Sequence, residues 1–363
     1  MSSEVKVLII DWMNLVKRYM YHGEDCIDLS TFIDDHATKI LDRFTGILRK
    51  YPFSFAIICS DNGQNKRAKA ILSEYKANRN KQKTETQKEM ERSHYKYLRE
   101  MFDCFPIPFI ETKNTEADMI IYFAKEYLNK YVFEPNSEKI NPSFRIISSD
   151  SDFIQLLDQK TKIFTYRKDM EYQDWNTSLE EEYWLPPTTY ALMKSIVGDK
   201  ADNIEGIRNI GWKKTYKLFK IMHQNGVPET SLINPSTFIE NLNNFNLSEN
   251  FTKPEINFIN KMKETISNNK ELIVRNYSII DFASLETPYI YTILKSLERG
   301  IFDSELKYDV EKIVDMLELD NRYSTEDAKG VKTKIRSNLY LISNTFEKHN
   351  KVIDILRKAR KEV

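Results

Sequence analysis

Apolar residues gather into three short runs, Val5–Ile10 (VKVLII), Phe53–Cys59 (FSFAIIC) and Phe144–Ser148 (FRIIS). Each has the length and the β-branched and aromatic content of a buried strand. Between them the apolar positions recur at helical spacing over roughly 30–50, 86–102 and 116–130. Strands that alternate with helices predict an α/β fold with a mostly parallel central sheet, flanked by helices on both faces. In such sheets the functional crevice lies at the carboxyl ends of the strands. The first run stops at Asp11, the second just before Asp61 and the third just before Asp150. The pattern therefore brings three distant acids to one edge.

Pro186-Pro187 punctuates the chain. The sequence predicts an α/β domain over 1–185 and a helical domain over 186–363, with helical patterns at Lys213–Met222 and Pro254–Ser267. Lys351–Lys361 reads as a basic amphipathic helix with Val352, Ile355, Leu356 and Ala359 on one side.

Composition narrows the chemistry. Hydrophobic residues make up 41% of the 363, enough for a sizeable core, and charged residues 30%. Lys+Arg and Asp+Glu are equal at 54, so net charge points to no partner. A dipolar protein can still set an acidic pocket beside a basic rim. The cysteines Cys26, Cys59 and Cys104 have no metal-ligand spacing and read as reduced thiols of a cytoplasmic protein. No apolar stretch approaches the about 20 residues of a membrane span. With 9 glycines, a Gly-rich phosphate loop is not the main device. The five histidines show no ligand spacing, and no Ser-His-Asp or Cys-His pattern stands out.

What remains is acid. Asp11, Asp61, Glu116 with Asp118, Asp150 with Asp152, and Asp199 with Asp202 carry oxygen donors without His or Cys beside them. That is the donor set of a hard divalent cation such as Mg²⁺. Each local pattern also has a plainer reading. Thr115-Glu116-Ala117-Asp118 and Ser149-Asp150-Ser151-Asp152 both fit a capping box, at about even odds for each alone. Gly198-Asp199-Lys200-Ala201-Asp202-Asn203-Ile204, followed by Gly206-Ile207 and Ile210-Gly211-Trp212-Lys213, could be an ordinary helical hairpin. Against that, carboxylates at i and i+3 repel unless a cation lies between them, and the turn sets backbone N–H groups at a helix start, where phosphate binds. The basic run Lys66, Arg67, Lys69, Lys76, Arg79, Lys81 and Lys83 would by itself be a solvated face. Following Asp61, it supplies the cations that a phosphate beside carboxylates requires.

In order and register, these motifs resemble the 5′ nuclease superfamily. It includes flap endonucleases, the 5′ nuclease domain of bacterial DNA polymerase I and phage 5′ exonucleases, and the likeness is nearest to the T-even-type phage ribonucleases H that remove RNA primers. The resemblance rests on IIDWMNL (9–15), CSDN (59–62), EYKANR (74–79), TEADMII (115–121), SSDSDFIQLL (148–157) and GDKADNIEGIRNIGWKK (198–214), and covers about 5–220. It implies a PIN/5′ nuclease-like sheet domain and a helix–three-turn–helix at about 190–220. Residues about 78–103 would form a helical arch or gateway for a free 5′ end. It further implies one metal cluster of Asp11, Asp61, Glu116, Asp118 and Asp150, and a second of Asp152, Asp199 and Asp202. Lys76 and Arg67 would serve the scissile phosphate. Arg79, Gly206, Gly211, Lys213 and Lys214 would contact nucleic acid. Two Mg²⁺ ions are implied, with Mn²⁺ able to substitute, and K⁺ at the helix–three-turn–helix. The implied partners are DNA, RNA–DNA hybrid and branched or flapped duplex, acted on by a monomer, with single-strand-binding protein and sliding clamp as candidate replication partners. The family's small glycine after its first aspartate is Trp12 here. Two rivals stand beside this reading: a PIN-type single-strand ribonuclease and a non-catalytic replication scaffold.

Overall fold

The computed structural model describes residues 3–20, 32, 36–80, 84–134, 140–165, 170–172, 186–247, 251–304, 306–317 and 329–361. The strands are β1 (Ser3–Asp11), β2 (Phe55–Ser60), β3 (Phe109–Glu111), β4 (Ile140–Ile147), β5 (Thr161–Thr165), β6 (Met170–Tyr172), β7 (Gly198–Asp199) and β8 (Ile204–Glu205). The helices begin with α1 (Trp12–Met20), α2 (Thr38–Lys50), α3 (Lys66–Ile71), α4 (Glu85–Phe102), α5 (Ala117–Tyr127) and α6 (Tyr190–Val197). They continue with α7 (Trp212–Gln224), α8 (Pro235–Asn244), α9 (Lys253–Asn268), α10 (Lys270–Ile280), α11 (Thr287–Glu298), α12 (Val310–Met316) and α13 (Lys329–Lys361).

The chain forms two compact units. The first takes Met1–Gln64, Gln82–Ser149 and Ile290–Val363; the second takes Asn65–Lys81 and Asp150–Tyr289. The boundary expected at 185/186 falls inside the second unit. The reason lies at the C-terminus, where α13 packs against α2 and β2 of the first unit. Its Phe346 and His349 meet Phe53 and Phe55, and His349 Nε2 lies 3.2 Å from the Ala56 carbonyl oxygen. The helix expected over Lys351–Lys361 is the end of this 33-residue helix.

In the first unit the strands run parallel in the order β3-β2-β1-β4. Val7, Leu8, Ile9 and Ile10 are buried, as is every residue of β2, because a parallel sheet covered on both faces leaves no polar side. β1 pairs with β2 from Val7↔Phe55 to Asp11↔Cys59, so Asp11 ends the central strand beside the end of its neighbour. Trp12 is buried where a glycine was expected. Its ring meets Phe102 edge-on at 4.3 Å and Phe109 at 5.3 Å, filling the space a glycine would leave.

The second unit is mainly helical. Its core joins Leu192 and Ile196 of α6, Leu218, Phe219 and Met222 of α7, Phe238 and Leu242 of α8, and Ile259 and Ile266 of α9. α6 and α7 flank the short β7–β8 pair, as the helix–three-turn–helix reading requires. Gly198 has φ +83°, and a Cβ there would lie 2.3 Å from Gly206 N. A Cβ on Gly206 would lie 1.9 Å from the Val197 carbonyl oxygen. Both glycines are therefore needed for two backbone segments to touch. Fully buried Asn276 of α10 locks this turn, its Nδ2 donating to the carbonyls of Ser195 (3.0 Å) and Glu205 (2.7 Å).

Candidate active site

Four of the predicted carboxylates lie in the first unit. Asp11 is 8% exposed and its oxygens accept from Asn14 N (3.1 Å) and Ser148 Oγ (2.8 Å). Asn14 in turn accepts from Ser149 N at 2.9 Å, so the ends of β1 and β4 are tied together. Arg18 Nη2 donates to Ser149 Oγ at 3.0 Å. Asp61 follows β2, and its Oδ1 accepts from Ala117 N at 2.7 Å. This bond corrects the capping-box reading of 115–118. The N-cap of α5 is Glu116, whose carboxylate does not cap, and the acceptor comes from another strand end. A charged acceptor at a helix N-terminus is favoured by the exposed donors and the helix dipole. Glu116 and Asp118 are half-buried on the first turn of the same helix. The arrangement sets Asp61 beside their turn.

The other four lie in the second unit. Asp150 is exposed and caps the 3₁₀ turn Ser151–Leu156, accepting from Asp152 N at 3.0 Å. The plain reading of 149–152 thus holds in modified form, with Asp150 rather than Ser149 as the cap. Asp152 and Asp199 share the ammonium of Lys194, which bonds Asp152 Oδ1 and stands 2.7 Å from Asp199 Oδ2. Lys194 is buried on α6. Burial alone would lower its pKa, but Asp152, Tyr190 and Asp199 more than reverse this and keep it protonated. Burial pushes Asp152 up to about 7, against the pull of Lys194. Asp199 is drawn below its ordinary value, because the Lys194 charge and the backbone N–H groups of Ala201 and Asp202 outweigh its burial. Lys194 is the residue that sequence reading missed. A single lysine among the apolar positions of α6 looks like a side chain reaching for solvent.

Asp202 pairs with Lys76, Oδ2 to Nζ 3.4 Å, and accepts from Tyr75 Oη at 3.3 Å. The backbone of Lys76 donates to the Asp202 carbonyl (2.9 Å), and Asn203 Nδ2 donates to the Glu74 carbonyl (2.8 Å). Lys76 itself has φ 54°, a left-handed conformation uncommon for a non-glycine residue. A long side chain held that way against its preference is fixed by its surroundings, as at positions where orientation matters.

Arg67 takes a different place from the one expected. It is 6% exposed; Nε donates to Glu286 Oε2 (2.7 Å), Nη1 to the Ser278 carbonyl (2.7 Å) and Nη2 to the Ser284 carbonyl. Its guanidinium is committed to holding α3 against the end of α10 and the chain that follows, which corrects its assignment as a phosphate ligand. Lys213, Lys214, Lys217 and Lys220 form the exposed face of α7, opposite buried Leu218, Phe219 and Met222. Gly211, the N-cap of α7, has no side chain to cover the first-turn donors. The side chain of Arg79 and residues Lys81 and Lys83 lie outside the described residues, as does part of the span expected as an arch. The described remainder of that span includes α4, capped reciprocally by Thr84 and Gln87.

Among the described residues, no group of three or more His, Cys, Asp or Glu is arranged as it stands to hold a metal ion. Protein donors occupy oxygens of Asp11 and Asp61, and an ammonium lies between Asp152 and Asp199. The donor set is nevertheless all carboxylate, which suits a hard divalent cation.

Residues 6–183 match the family model of the 5′-3′ exonuclease N-terminal, resolvase-like domain. Residues 6–183 belong to the 5′ nuclease superfamily. Its members include curated relatives on both sides of the resemblance. The flap endonuclease of Escherichia phage T5 is 24% identical over 253 residues, 67% of this chain and 80% of that protein. DNA polymerase I of Bacillus subtilis (strain 168) is 30% identical over 166 residues, 45% of this chain. The match spans only 17% of that polymerase. Phage T5 5′-exonuclease solved with divalent zinc ions superposes with TM-score 0.58 at 21% identity, covering 81% of this chain and 99% of that one. The T5 flap endonuclease in a pseudo-enzyme-product complex with DNA and metal ions gives 0.56 at 20%, covering 86% and 99%. At these identities the superpositions establish a shared fold. No helix among the described residues is long and apolar enough to cross a membrane.

Proposed function

We infer that this 5′ nuclease superfamily member is a Mg²⁺-dependent, structure-specific enzyme. It hydrolyses phosphodiester bonds from the 5′ end of RNA–DNA hybrids, duplex DNA and 5′ flaps, and so removes RNA primers during phage DNA replication. The observation that carries the reading is the set of acids standing at strand and helix ends within the matched domain, above all Asp11 and Asp61. Capping accounts for one oxygen each of Asp61, Asp150 and Asp11, the last through Asn14 N at the start of α1. Asp11 is in addition a buried carboxylate ending a central strand, with its other oxygen held by Ser148.

Asp11, Asp61, Glu116, Asp118 and Asp150 would hold one cation; Asp152, Asp199 and Asp202 a second, with Mn²⁺ a competent substitute. Bound there, Mg²⁺ would lower the pKa of the attacking water and neutralise charge on the leaving oxygen. The protein's own groups do the rest. Lys76, fixed at positive φ, presents an ammonium to the scissile phosphate and stabilises its developing charge. Lys194 keeps Asp152 and Asp199 from repelling one another before a divalent ion arrives. The lysines of α7 and the uncapped start at Gly211 grip phosphates without reading bases. Specificity then comes from substrate shape, and binding weakens steeply with salt. A K⁺ ion at the turn after Gly206, and docking to a single-strand-binding protein or sliding clamp, complete the proposal.

The T5 complex with DNA and metal ions supports nucleic acid as substrate by likeness of fold. The helix–three-turn–helix arrangement of α6 and α7 favours it over a small PIN-type ribonuclease. Asp118→Ala and Asp150→Ala are expected to abolish cleavage of a labelled 5′ flap while leaving its binding in Ca²⁺ near wild type. Full activity in Asp118→Ala would overturn the site assignment.

A further inference from the structure

Helix α2 sends Ile40, Leu41, Phe44, Ile47 and Leu48 into the core of the first unit. Its opposite stripe, together with the N-terminal part of α13, walls a groove of about 470 Å³. Its lining includes Lys39, Arg43, Arg49 and Lys334, with Asp42 as the one acid among the described residues and Gly46 at mid-helix. Asp42 is already occupied: its Oδ1 accepts from Asn338 Nδ2 at 3.1 Å and stands 3.4 Å from Lys334 Nζ. Arg49 Nη1 donates to Asn338 Oδ1 at 2.8 Å, which fixes the guanidinium at the groove's far end. Four cations against one paired carboxylate make the groove an anion acceptor.

Gly46 is an independent pointer. Glycine in the middle of a helix weakens it relative to alanine. Packing does not demand it here, since an added Cβ would meet no atom within 4 Å. A side chain at 46 would stand in the groove, and its absence keeps the groove open.

We propose that this groove is a second nucleic-acid contact, taking the phosphodiester backbone of a strand apart from the helix–three-turn–helix; it rests on the nuclease reading in taking nucleic acid as the occupant. The ten steps from Lys39 to Arg49 rise about 15 Å along α2. The phosphates of one duplex strand advance about 3.4 Å each along the helix axis, so a strand crossing the groove sets more than one phosphate within that length. Among the described residues no aromatic ring lines the groove, so it holds backbone and leaves bases unread.

The test is fluorescence anisotropy of a labelled flapped duplex in Ca²⁺ across a salt series, with cleavage in Mg²⁺ measured in parallel. Lys39→Glu/Gly46→Glu reverses charge in the groove, and Lys39→Ala/Lys334→Ala removes it at two exposed positions. Both are expected to bind about 10-fold more weakly at low salt, with a salt slope shallower by about 1–2. Gly46→Ala is expected to raise the thermal midpoint, confirming the open space. Binding curves that superpose on wild type at every salt concentration overturn the proposal. So does a wild-type advantage erased by inorganic phosphate at millimolar concentration, which marks a free-anion site. Erasure by a poly-glutamate peptide, but not by competing duplex, overturns it in favour of an acidic protein partner. A wild-type protein whose binding is weakened by these substitutions but which cleaves nothing sinks the nuclease reading and leaves the groove standing. Cleavage with unchanged binding does the reverse.

Discussion

Two side chains carry consequences that can be read at the scale of single residues. Lys194 is the internal cation between Asp152 and Asp199. Lys194→Met leaves two half-buried carboxylates facing each other without their shared cation, a loss below the about 3–5 kcal/mol of breaking a fully buried pair from one side. The expected outcome is a thermal midpoint well below wild type in EDTA, with much of the loss recovered in millimolar Mg²⁺, which replaces the missing charge. A midpoint indifferent to Mg²⁺ would remove the second cation from the account. His94 is buried on α4 with its ring stacked on Phe32 at 3.8 Å. Burial first, and His36 second, hold its pKa below 6.5. Just below 6.5 the unfolded chain therefore binds a proton that the folded chain resists. This stability is present above 6.5 and lost as pH falls through the lower folded value. His94→Phe is expected to show a smaller drop in thermal midpoint than wild type between about pH 7.5 and about pH 5.5. Equal drops would show that the stack does not sense pH.

At the scale of elements, the sheet was legible because buried parallel strands are written as near-continuous apolar runs. β1, β2 and β4 stand where VKVLII, FSFAIIC and FRIIS predict them, and their ends carry the expected acids. β3 was not legible, since its three residues, Phe109–Glu111, offer no periodicity to read. The start of α5 was misread for a different reason. Local spacing suggested Thr115 as its cap, whereas the acceptor, Asp61, comes from 56 positions away. Arg67 shows the same limit: charge after a metal-binding acid suggests a substrate contact, and only the tertiary fold reveals Glu286 and two carbonyls around it. Asp61 does two jobs that substitution can separate. Asp61→Asn keeps an acceptor for Ala117 N and removes the charge, so stability should hold while cleavage is lost. Asp61→Ala loses both, with an added cost of about 1 kcal/mol. Urea denaturation of the two variants checks this; equal stability would mean that the bond to α5 contributes nothing.

At the scale of the whole molecule, the helical content after Pro186 was visible, but the division of the chain was not. Asn65–Lys81 joins the later helices, and α13 returns to the sheet of the first unit. No linker composition announces either crossing, because both are settled by packing partners far apart in sequence. The matched 5′-3′ exonuclease domain over 6–183 supports the proposed chemistry at the 5′ end of a nucleic acid. The most direct measurement follows an RNA–DNA primer substrate labelled at either end, with and without a 5′ flap, in Mg²⁺ and in EDTA. Short products released from the 5′ end in Mg²⁺ alone are expected, with flap dependence setting the balance between exonuclease and endonuclease. Absence of cleavage in Mg²⁺ and Mn²⁺ alike would contradict the account and leave the carboxylates as part of a binding scaffold.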